Sequence, residues 1–200
     1  MVPASARDAP ACLFELRLLG RAVAYRERAG CRCTDRELHG KRINPDTTQL
    51  AVSSGAAFVY RQQANNTWSR AAYIKAPYLS FENGFGQAVA LLGDETILAA
   101  GAPGDAATSA GVNGSETSAA ASFRTGAVHL YGEKTNIWSR TAFVKAPNPD
   151  GMDAFGYPVS FDAYARTLAV GAIWQSSAAI GVGGNQQDNS APAAGAVYVY

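Results

Sequence analysis

The chain has 200 residues, 17 Lys and Arg against 16 Asp and Glu, a formal charge of +1 and 48% apolar residues. That length suits one domain or a few small units sharing a core, and the balanced charge excludes the electrostatic footprint of a nucleic-acid binder or a partner of an anionic membrane. No run approaches the roughly 18 to 20 apolar residues of a bilayer span, and Glu15, Arg17 and Arg21 interrupt the early apolar stretch where a secretory signal would be uncharged.

Taken from the start, residues 1–42 stand apart. They hold nine basic and five acidic groups, eight of the 13 arginines and all three cysteines (Cys12, Cys31, Cys33), whereas residues 43–200 hold eight basic and 11 acidic groups. An odd cysteine count with a single Cys-x-Cys pair fits neither a disulfide framework nor a four-ligand zinc site. Leu13 to Arg28 reads as an amphipathic helix in a divergent basic segment. The competing account is a GC-rich gene read out of frame, because Phe14 and Gly30 keep the spacing of the downstream sequence while the residues around them do not keep its chemistry.

From residue 43 onward, short apolar runs punctuated by Gly, Pro and Asn predict strands. The tail of a first unit, 43–84, carries GAAFVY from Gly55 and NTWSRAAYIKAP around Trp68. A second unit, 85–154, runs FGQAVALL, then TILAAGAP, then a polar segment over 104–125, GAVHLY from Gly126, a turn at Thr135 and Asn136, and WSRTAFVKAP. A third, 155–200, repeats the series as FGYPVSF, TLAVGAI, a polar segment over 174–194, and GAVYVY from Gly195. Trp68 and Trp138, Phe85 and Phe155, and Gly101 and Gly171 each stand 70 residues apart. Self-similarity at a fixed period is the signature of a repeat array. Each unit is expected to be a four-stranded antiparallel sheet, the size of a propeller blade. Gly101, Gly126, Gly171 and Gly195 would mark places where backbones approach closely, Gly86 and Gly156 recur with the phenylalanines as structural repeat residues, and Trp68, Phe85, Trp138 and Phe155 would supply apolar area between sheets.

Candidate chemistry is sparse. No catalytic motif is present, and no enzyme activity is expected. His129 holds the strand position of Phe58 and Tyr198 and is expected to be surface-facing or half-buried. Lys75 and Lys145 end equivalent strands and are expected to face solvent, where lysine protects an edge. Asn148, Asp150 and Asp153 in NPDGMDAFG offer oxygen ligands around a glycine and are the leading Ca²⁺ candidates; Asp105, Asn113 and Glu116, or Asn185, Asp188 and Asn189, are the others. Asn65 in NNT and Asn113 in NGS are glycosylation sequons, meaningful if the chain is exported.

FG…GAP followed by GAVYVY and a Trp-led strand resembles the FG-GAP repeat of integrin α-subunit propellers, and more closely the 70-residue FG-GAP repeats of bacterial and protist proteins. The resemblance covers about residues 43–200. It implies blades of an all-β propeller on a secreted or surface protein that recognises or adheres to a protein or glycan, sometimes with Ca²⁺ in its loops. The integrin-type calcium loop would fall in Leu91–Thr96 or Phe161–Thr167, and neither offers the alternating oxygen ligands it needs. On this reading no cofactor is required, the partners are an extracellular ligand and further blades, and an isolated stack with open end faces is expected to associate. The alternatives are the propeller part of a larger secreted hydrolase whose catalytic domain lies outside this chain, or a non-functional gene fragment.

Overall fold

The computed structural model describes residues 13–19, 22–27, 54–78, 82–93, 96–116, 123–162 and 167–200. All regular structure among them is β-strand, in line with the composition. The strands form three antiparallel sheets. Strands β1 (Leu13–Leu19), β2 (Ala22–Glu27), β3 (Ala57–Gln62) and β4 (Trp68–Ile74) pair in that order in the first. Strands β5 (Ala88–Leu91), β6 (Ile97–Ala102), β7 (Ala127–Lys134) and β8 (Ile137–Val144) do so in the second. In the third, β10 (Leu168–Ala172) lies between β9 (Phe155–Phe161) and β11 (Ala196–Val199).

The helix expected over Leu13 to Arg28 is not formed; that stretch supplies β1 and β2. The reason lies in its partner. β2 runs antiparallel to β3, with Val23 opposite Tyr60 and Tyr25 opposite Phe58, and a non-local ladder of this kind overrides local helix preference.

Corresponding stretches of the first two units reach the same geometry. A register shift falls between Val59 and Tyr60 in the β3–β4 pair and between Leu130 and Tyr131 in the β7–β8 pair. The β7–β8 turn passes through Thr135 and Asn136 with φ of 51° and 62°, the doubly left-handed geometry of a tight hairpin. Strand alternation then divides β7 between two cores. Tyr131 packs with Ala57, Val59, Ile74 and Phe85 between the first and second sheets. Val128 packs with Phe155, Val170 and Tyr198 between the second and third.

Backbone contacts join the sheets as well. Gly55 forms a parallel bridge to Phe85, and Gly126 forms one to Phe155. Phe85 N donates to Ser54 O at 3.0 Å, and Phe155 N to Thr125 O at 3.3 Å. A Cβ on Gly55 would lie 2.1 Å from Phe85 O, and one on Gly86 2.4 Å from Ala56 O. Gly-Ala of one sheet and Phe-Gly of the next therefore interlock, and a side chain on either glycine would occupy the other's backbone. The closing tyrosines add a second tie: Tyr131 OH donates to Lys75 O at 3.3 Å, and Tyr200 OH to Lys145 O at 2.7 Å.

Candidate functional site

The described polar groups with chemical potential gather in two places, a buried cluster inside the second sheet's loop end and the surface where the 147–153 turn meets the 174–194 loop.

Lys145 was expected to face solvent, and the structure corrects this: it is fully buried. Its Nζ donates to Thr125 Oγ1 at 2.6 Å and lies 3.2 Å from Asp105 Oδ1. Asp105 also accepts from Ala107 N at 3.0 Å and from Asn83 Nδ2 at 3.4 Å. The Thr125 hydroxyl lies 3.0 and 2.9 Å from the carbonyls of Asp105 and Ala107. Desolvation lowers the Lys145 pKa, while Asp105 acts in the opposite direction. Lysine beside a hydroxyl can serve nucleophilic chemistry, yet Lys145 and Thr125 are 0% and 1% exposed, which leaves a substrate no approach. The cluster instead fastens both ends of the 105–125 loop to the end of β8. Lys75 makes the corresponding contact in the first sheet, its half-buried ammonium donating to Ser54 Oγ at 3.0 Å and Gly55 O at 2.5 Å.

His129 is also corrected. It is 2% exposed, its ring lying 5.5 Å from that of Phe85 and 5.1 Å from that of Phe143, and neither ring nitrogen has a hydrogen-bond partner. Burial holds its pKa down at about 4; Asp105 and Glu116 pull it up, and Arg140 and Lys145 push it further down. As pH falls, the unfolded chain takes up this proton near the ordinary value of 6.5, while the folded chain does so only near 4. Stability is therefore lost through that window, by about 3 kcal/mol in all. Asp153, whose pKa burial raises to about 6, acts with the opposite sign, because its folded form takes up a proton before its unfolded form as pH falls. The comparison that isolates the histidine is wild type against His129→Phe. Urea unfolding is expected to show the variant's advantage growing by about 3 kcal/mol from pH ~7 to pH ~4; a constant difference would contradict it.

The two loop sets of metal candidates converge. Asn148 Nδ2 donates to Gln186 O at 2.6 Å, and Asn189 Nδ2 donates to Asp150 Oδ2 at 3.2 Å. Asn148 Oδ1 accepts from Tyr198 OH at 3.0 Å. Asp153 is buried, and its Oδ2 lies 3.4 Å from Asp150 N. Asn148 and Asp150 thus serve to dock the two loops, and among the described residues no three His, Cys, Asp or Glu side chains group as a metal ion would require. The other members are likewise engaged: Glu116 pairs with Arg140 at 2.6 Å, Asn113 Oδ1 accepts from Phe143 N at 3.0 Å, and Asp188 accepts from Ala178 N and Ser190 N.

The 174–194 loop is internally braced. Ser177 Oγ donates to Asn185 O at 2.7 Å, Ser177 N donates to Gln175 Oε1 at 2.9 Å, and Ala191 N donates to Ser176 O at 2.8 Å. Hydrogen bonds to Ser190 hold the Asp188 carboxyl below its ordinary pKa. From this braced loop Trp174, Ile180 and Val182 project at 52%, 92% and 105% relative exposure. The polar composition of the segment concealed these apolar tips; Ile180 and Val182 flanking Gly181 were the signal available.

The remaining candidates fall into place simply. Phe85, Trp138 and Phe155 are buried and Trp68 is half-buried. The sequon residue Asn65 is exposed on the β3–β4 turn, where its Oδ1 accepts from Thr67 N and Oγ1. Cys12, Cys31, Cys33, His39, residues 43–53, Asp94, Glu95 and residues 163–166 lie outside the described residues. The chain matches no family model and no curated protein.

Proposed function

We propose that the chain is a non-enzymatic segment of FG-GAP type, its sheets successive blades of a β-propeller, and that its 174–194 loop recognises a protein at a cell surface or outside the cell. The observation that carries this reading is the braced loop with Trp174, Ile180 and Val182 exposed. A loop fixed before binding loses little entropy on association, and apolar side chains on it supply the water-excluding contact that protein partners favour over sugars. The sheet array is the scaffold, and its long loops are the variable surface.

The test is binding of labelled full chain to intact cells of its source and to immobilised secreted proteins from them. A double variant, Ile180→Ser with Val182→Ser, is expected to bind at least tenfold more weakly, about 1.4 kcal/mol, with an unchanged melting temperature because both side chains stand in solvent. Equal binding by the variant would remove the loop from the recognition surface, and absence of binding by the wild type would overturn the reading.

A further inference from the structure

We propose that Gln175 is the positioning residue of the 174–194 loop: its buried side chain ties the two arms of the loop together from beneath and so holds Ile180 and Val182 out in solvent for a partner. This rests on the recognition reading above and deepens it, because it names what keeps that surface formed before anything binds.

The repeat shows what is particular to the position. Gln175 stands 70 residues after Asp105, and half of its role is shared with that residue. Asp105 Oδ1 accepts from Ala107 N at 3.0 Å, and Gln175 Oε1 accepts from Ser177 N at 2.9 Å, so in both units the side chain caps the backbone two residues on. The other half has changed character. A carboxylate only accepts, and that of Asp105 receives Lys145 Nζ and Asn83 Nδ2. The amide of Gln175 supplies a donor instead, and Nε2 donates to Gln186 O at 3.2 Å. Where the second unit uses an anion to hold a lysine, the third uses an amide to hold its own loop.

The contacts of Gln175 reach every part of that loop. Its backbone closes the neck, with Gly195 N donating to Gln175 O at 2.8 Å and Gln175 N to Ala172 O at 3.3 Å. Its side chain crosses to Gln186 O, which also accepts from Asn148 Nδ2 at 2.6 Å. One carbonyl thus joins the end of β10, the far arm of the loop and the 147–153 turn. Two more bonds span the arms, from Ala178 N to Asp188 Oδ2 at 3.2 Å and from Ala191 N to Ser176 O at 2.8 Å. At the tip, a Cβ on Gly181 or Gly183 would meet nothing within 4 Å, so the tip lacks packing of its own and its position is set by the arms beneath. Gln175 is 2% exposed, and a donor or acceptor lost there leaves its partner without ready replacement by water.

Amide exchange of the full chain tests the assignment in wild type, Gln175→Glu and Gln175→Met. The wild-type amides of Ser177, Ala178 and Ala191 are expected to be protected. Gln175→Glu keeps the acceptor for Ser177 N and loses the donor to Gln186 O, so Ala178 and Ala191 should exchange about tenfold faster while Ser177 stays slow. Gln175→Met, close in volume, loses both and should release all three. Val128 in β7 is the internal reference and should exchange as in wild type. A surface formed only part of the time binds in proportion to that fraction, so both variants should associate more slowly with cells of the source and dissociate at the wild-type rate, the reverse of Ile180→Ser with Val182→Ser. An unprotected Ser177 amide in wild type, Ala178 and Ala191 as slow in both variants as in wild type, Val128 released along with the loop, or a loss of affinity carried by dissociation would overturn the role. Exchange as expected with no binding by wild type would strike the recognition reading alone.

Discussion

Asp105→Ala is expected to lower the unfolding free energy by about 3–5 kcal/mol, the loss typical of removing one member of a buried ion pair. The ammonium of Lys145 is 0% exposed and would keep only the Thr125 hydroxyl, while the Asp105 carboxylate, 16% exposed, loses less when its partner goes. Lys145→Met should therefore cost less than Asp105→Ala, since Asn83 Nδ2 and Ala107 N still reach the carboxylate and water reaches its edge. Combining both substitutions should recover part of the Asp105→Ala loss, because the uncompensated charge is gone. Urea unfolding of the three variants measures this. A loss under about 1 kcal/mol for Asp105→Ala, the value of an exposed pair, would mean that the ammonium reaches solvent.

What the sequence displays and what it hides follow from the range of the interactions concerned. Phe-Gly, Gly-Ala and the closing tyrosine are legible because each repeats at intervals of 69 to 71 residues, and two backbones in contact admit few alternatives there. Lys145 was misplaced because its partners lie 20 and 40 residues away in sequence, and a lysine before Ala-Pro at a strand end looks like an ordinary solvated edge. The information for His129 was present and outweighed by residue type: its sister positions hold Phe58 and Tyr198, both of which are buried. In β1 and β2 the spacing was the better guide than the chemistry, since strand pairing with β3 is a property of the fold and not of the segment alone. The metal candidates show the reverse case, in which suggestive oxygen ligands serve as loop-to-loop hydrogen bonds that no single stretch of sequence could announce.

Gly126→Ala is expected to destabilise the chain by about 4 kcal/mol, with Gly195→Ala costing only about 1–2 kcal/mol. The two glycines share a left-handed backbone, with φ of 82° and 78°, so the steric cost of that conformation is common to both. They differ in what the added methyl meets. At Gly126 it falls 2.1 and 2.2 Å from Phe155 O and N, and backbone atoms cannot rotate aside as a side chain would. Relief requires the third sheet to move away from the second, which loosens Phe155, 0% exposed, and the apolar cluster around it. At Gly195 the nearest atom is 3.5 Å away, an ordinary contact. Denaturant unfolding of the pair isolates the interlock from the backbone strain, because subtracting one cost from the other cancels the shared term. Equal losses would show that the Gly-Ala and Phe-Gly contact is incidental to the stacking. A large difference would make it the element that sets the spacing between sheets, and would explain why glycine stands at that strand start in all three.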